Sequence, residues 1–72
     1  MELTHDQQVA QDYKAAMDSV NLINAGKPAD ITDAEWADVI TRNKEHLTIQ
    51  VNKGAEYYGS NDLTPFTAAI AK

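Results

Sequence analysis

The side chains able to do chemistry are few, and their spacing does not suit it. The chain has two histidines, two serines, eleven Asp and Glu, and no cysteine. A di-iron helical site requires Glu-x-x-His, but the residue three before His46 is Asn43. The His-Glu-x-x-His zinc motif and a Gly-rich phosphate loop are both missing. Neither Ser19 nor Ser60 has a histidine close in sequence, and a thiolate metal site is impossible without cysteine. Asp30, Asp33, Glu35 and Asp38 form the densest group of carboxylates. A calcium loop would place oxygen ligands at alternate positions around a glycine turn, whereas here Ile31 and Thr32 interrupt and a helix begins at once. These acids read as charge set against the positive end of a helix dipole. His5 falls in a first helical turn and His46 beside Leu47 at a helix margin. No catalytic residue, cofactor or metal is therefore assigned, and the chain is read as not an enzyme.

The elements that carry these side chains are helices, and the same device announces each of them. An apolar residue precedes a threonine at Leu3-Thr4, Ile31-Thr32 and Leu63-Thr64. Each threonine can accept a hydrogen bond from an orphan N–H of the following first turn. Thr32 has Glu35 three residues on, which completes a capping box, and Ile31 and Trp36 stand at the two positions of a hydrophobic staple. Thr4 has Gln7 for a weaker box. Thr64 is followed by Pro65, whose missing N–H costs nothing at the first helical position.

The expected fold is all-α: an antiparallel helical hairpin over about 5–25 and 33–58 with a short C-terminal helix over about 65–71, all in one domain, 1–72. In the first helix Val9, Tyr13, Ala16, Met17, Val20 and Ile23 form one apolar stripe. Gln7, Gln11, Lys14, Asp18 and Asn21 form the opposite face. Gly26 and Pro28 stop it, and the short connection favours an antiparallel neighbour. The second stripe, Trp36, Ile40, Asn43, Leu47 and then Gln50 or Val51, alternates four and three like a heptad seam. This helix ends either near Asn52, at Gly54, or near Tyr58, before Gly59-Ser60-Asn61-Asp62. The later end is favoured, with Gly54 tolerated at about 1 kcal/mol. In the third helix Phe66 and Ile70 give one apolar edge, which folds back over the open end of the hairpin.

Size and charge narrow the functions further. A 72-residue chain buries only roughly 60% of its unfolded surface, and a core of that size supplies about 3–5 kcal/mol. No disulfide can add to it, so tight helix packing or a second chain must. The net charge of −5 opposes a phosphate backbone. The six basic residues (Lys14, Lys27, Arg42, Lys44, Lys53, Lys72) are scattered, so no nucleic acid is expected. The longest apolar run, Ala68 to Ala71, is far short of the roughly 20 residues of a membrane span. No basic segment followed by an apolar run opens the sequence, so no secretory signal is expected.

Five residues are assigned to contact with a protein partner. Leu22 and Ile49 lie more than about 100° off the two stripes when counted at 3.6 residues per turn, which suggests a second apolar face. Asn43 lies within the seam, where an Asn can fix register and oligomer state; the alternative is that it bonds a side chain of the first helix or faces a wet groove. Tyr57 and Tyr58 are expected to divide, one ring closing the core and the other anchoring an interface.

The strings Arg42-Asn43-Lys44-Glu45-His46-Leu47 and Asn61-Asp62-Leu63-Thr64-Pro65, with an Ala-rich ending and Ile31-Thr32-Asp33-Ala34-Glu35 before them, resemble a group of small helical proteins encoded by tailed bacteriophages, many of them marine. The likeness spans residues 31 to 70 and departs at Gly54 to Gly59, where those proteins have a shorter acidic-aromatic stretch. It implies a phage origin and carries over no catalytic residue. The expected function is a structural or interaction protein, a small virion component that self-associates or binds other phage virion proteins, located in the virion or the host cytoplasm. The alternative is a small acidic inhibitor of a host protein.

Overall fold

The computed structural model describes residues 2–72, and among these there are three helices and no strand: α1 (His5–Ala25), α2 (Asp33–Tyr58) and α3 (Thr64–Ile70). The first two begin where their threonines stand. At each, the threonine Oγ1 accepts from the backbone N–H three residues on at 3.1 Å, and the side chain of that residue accepts the threonine's own N–H: Gln7 at 3.0 Å for Thr4, Glu35 at 3.1 Å for Thr32. Both capping boxes are complete. The Glu35 carboxyl is held below its ordinary range by the hydrogen bonds it accepts from Thr32. The third start differs from expectation. Leu63, not Thr64, occupies the N-cap position, and no side chain caps the helix there. The Thr64 N–H instead donates to Asp62 Oδ1 at 2.9 Å, a local Asx turn. Thr64 thus becomes the first residue of α3 and moves Pro65 to its second position, where a missing N–H is equally harmless.

The long second helix is not continuous. Gly54 has φ +66° and ψ −168°, a non-helical conformation inside α2, in a region that is essentially closed to residues with a Cβ. The two stops weighed in the sequence are therefore both real: Gly54 breaks the helix, and one further turn runs on to Tyr58 before Gly59 caps it. The cost at Gly54 is thus not that of glycine in a regular helix, because the helix is not regular there.

The core is small and aromatic at one end. Ala16, Val20, Ile23, Leu47, Phe66 and Ala69 form one buried cluster, with Tyr13, Met17, Ile40, Val51, Leu63 and Ile70 packed against it. Tyr58, Phe66 and Leu47 are the largest fully buried side chains. In the α1 stripe Val9, Ala16, Val20 and Ile23 are buried, Tyr13 and Met17 are half-buried, and Ser19 joins the buried set. In the α2 stripe Leu47 and Gln50 are buried, but Trp36, Ile40, Asn43 and Val51 are only half-buried. The reason is geometric. Two helices cover only one stripe of each other, and the short α3 packs against both without covering the rest. The result is a flat molecule, 40 × 28 × 16 Å across its Cα atoms. No described helix is long and apolar enough to cross a membrane.

The two threonines should respond differently to truncation. Thr32→Ala removes a complete capping box and is expected to cost about 1 kcal/mol. Thr64→Ala removes no capping bond and should stay within about 0.5 kcal/mol of the parent. Urea unfolding followed by circular dichroism compares them directly; equal losses would contradict the assignment of Leu63 as the N-cap.

Candidate functional site

The described surface offers two features: a bare helix flank and a polar network around Tyr57. The flank follows from where α3 sits. Tyr13 meets Phe66 of α3 with ring centroids 5.1 Å apart, and its hydroxyl donates to the Asp62 carbonyl at 2.7 Å. Leu22 is nine residues on, about 180° around α1 from Tyr13 at 3.6 residues per turn. Similarly Val51 packs against the α3 cluster, and Ile49 lies about 160° from it around α2. Both aliphatics therefore face away from α3. They are exposed, Ile49 by 57% and Leu22 by 39%, and with Leu3 they are the large exposed hydrophobics among the described residues.

The other three residues assigned to contact fare differently. Tyr58 is 1% exposed, so its assignment to a partner surface is corrected. Its ring lies edge-on to Tyr57 and Phe66, and its hydroxyl donates to the buried Gln50 side chain. Burial, and then the charge of Asp12, push the Tyr58 phenol up. Asn43 is half-buried, and its Nδ2 donates to the Val39 carbonyl one turn back at 2.7 Å. That amide is therefore engaged within its own helix rather than with α1. Tyr57 is half-buried and belongs to the network.

Sequence reading did not single out Asp12, which organises that network. Its carboxylate accepts from the Tyr57 hydroxyl and from Gln8 Nε2, the latter at 3.1 Å, and Lys53 Nζ lies 3.7 Å away. Lys53 also stands over the Tyr57 ring at 4.6 Å, and His5 meets that ring edge-on at 5.5 Å. The contact ties the turn after Gly54 to the first half of α1. The Tyr57 hydrogen bond is the main cause holding the Asp12 carboxyl below its usual range, with Gln8 and Lys53 adding to it against a desolvation penalty. The same bond, with desolvation, pushes the Tyr57 phenol up to about 12. A signal did exist in the sequence: Lys53 and Tyr57 are four apart, the spacing at which side chains meet on a helix.

Beside the network lies a groove of about 390 Å³ whose walls include His5, Asp6, Val9, Glu56, Tyr57 and Ser60. It is large enough for a small ligand, but no three acidic, histidine or cysteine side chains among the described residues gather to hold a metal ion. No described hydrogen bond joins a serine hydroxyl to a histidine. His46 is half-buried, and its Nε2 has no hydrogen-bond partner among the described residues. The remaining ion pairs, Lys14–Asp18, Arg42–Asp38 and Lys27–Asp33, involve exposed groups and contribute little. Comparison with protein-family models, curated proteins and solved structures found no match for the chain.

The Asp12–Tyr57 bond bounds stability on both sides. A lowered Asp12 pKa contributes stability that is present above its ordinary value of 3.8 and lost as pH falls through the folded value. A raised Tyr57 pKa contributes stability that is present below 10 and lost as pH rises from 10 toward about 12. Asp12→Asn should remove much of the acid-side loss. It should also bring the Tyr57 titration down toward 10.0, read by ultraviolet difference spectroscopy against a Tyr57→Phe control. An unmoved tyrosine titration would contradict the bond's role.

Proposed function

We propose that the chain is a non-enzymatic interaction protein of a tailed bacteriophage, a small virion component that self-associates or binds other virion proteins through the helix flank carrying Leu22 and Ile49. The observation that supports it best is the exposure of both aliphatics on the flank opposite α3. A single exposed aliphatic is ordinary; two on adjacent helices, turned the same way, are a surface that a partner helix could cover. Total exposed area points in the same direction. The chain exposes 4925 Å² at a mass of 7.9 kDa, against about 4,400 Å² for a compact monomer of that mass. The phage assignment rests on the resemblance of residues 31 to 70. A second reading, an acidic inhibitor of a host protein, is favoured only by the net charge of −5.

Mass spectrometry of purified virions separates the two, since a chain missing from the particle removes the virion role and favours the inhibitor. The double variant Leu22→Asp, Ile49→Asp should lose any association seen by light scattering and keep its helicity, since exposed substitutions cost within about 0.5 kcal/mol each. Loss of helicity would place both residues in the core instead.

A further inference from the structure

The segment after Gly54 has the properties of an exchangeable strap. It comprises the last turn of α2, the 59–63 connection and α3, and it provides Tyr58, Phe66 and Ala69, three of the eight buried apolar side chains among the described residues. It is held to the hairpin by the Tyr57–Asp12 bond, by the Tyr13 hydroxyl on the Asp62 carbonyl, and by packing of Phe66 on Tyr13. None of these contacts depends on the strap and hairpin being the same chain. What keeps them in one chain is a single residue conformation. At Gly54 both φ and ψ differ from helical values by more than about 100°, which redirects everything after it. The sequence on both sides is otherwise helical, with apolar positions that stay in phase through Tyr57 and Tyr58. A Cβ built at Gly54 meets nothing within 4 Å, so backbone conformation alone, not crowding, requires glycine there.

We infer that Gly54 is the gate of a domain swap: when α2 runs straight through position 54, the strap leaves its own hairpin and docks on that of a second copy of this chain, reciprocally. Exchange of an identical element is a low-cost route to a two-fold dimer, and hinge substitutions are what release it. Residues 55–72 of the other copy then occupy the vacated surface. This dimer does not use the Leu22 and Ile49 flank and stands apart from the proposed function.

Two chains that differ only in handedness at one carbon test it, and 72 residues are within reach of chemical synthesis. Gly54→Ala favours the straight helix and should give a helical species of about twice the 7.9 kDa monomer mass by light scattering. A chain with D-alanine at position 54 accepts φ +66° as readily as an L-residue accepts its mirror image, and should remain a folded monomer. In a mixed isotope-labelled sample of the Gly54→Ala dimer, contacts between Phe66 and Tyr13 should run between copies. Adding Leu22→Asp and Ile49→Asp should leave that dimer intact. The inference is overturned if the Gly54→Ala chain is monomeric, folded or not, if its Phe66–Tyr13 contacts stay within one chain, or if the flank substitutions dissolve the dimer.

Discussion

A two-helix hairpin has no interior of its own: each helix can bury one stripe against the other and nothing more. In this protein the shortfall is met by Phe66, fully buried against Tyr13 and Tyr58. Its ring closes the side of the hairpin that α1 and α2 leave open, and Leu47, Ala16 and Val20 are buried in the same cluster. Everything else in the molecule is arranged to deliver that ring. Gly54 redirects the chain, Gly59 caps the last turn of α2, the Asx turn at Asp62 starts α3, and Tyr13 holds the Asp62 carbonyl. Burying an aromatic side chain contributes roughly 1.5–3 kcal/mol, a large share of what a core in a chain this small can supply.

The same arrangement creates the surface. Because seven residues of α3 cover one flank only, the other flank keeps whatever the sequence placed there, and it placed Leu22 and Ile49. Trp36 and Ile40 on α2 are likewise only half-buried. Exposure here is thus a consequence of a fold with too few elements, rather than of isolated apolar residues scattered on a complete one.

What could be read in advance was whatever local chemistry decides. The starts of α1 and α2 follow from capping bonds between residues three apart, and the α1 stripe follows from 3.6-residue periodicity. Both lie in the sequence itself. The start of α3 departs by one residue from its threonine signal because Asp62 and Thr64 can both offer an oxygen to the same turn, and the path of the chain decides between them. The break at Gly54 was one of two readings, because the helical phase continues past it. What selects the bent form is burial of Tyr58 and Phe66, a long-range gain with no local signature. For the same reason Tyr57 and Tyr58 were expected to divide between core and interface, but their sequence did not say which ring would go where.

Asp12 is the clearest case of a residue visible only in three dimensions. In sequence it is one of eleven acids on a chain whose acids mostly read as solvated charge. In the fold it accepts hydrogen bonds from both Gln8 on its own helix and Tyr57 on the next, with Lys53 close by. A charged group with several donors around it is fixed in direction as well as in protonation state. That matters here because the turn after Gly54 is only four residues long before Gly59 caps it, and it leaves the bend with no regular helix behind it to aim it. Asp12 and Phe66 therefore act on the same problem from two ends. One orients the turn as it leaves the bend, and the other anchors the helix that follows. The bend is kept only as long as both contacts together outweigh the regular helix that the rest of α2 would otherwise continue.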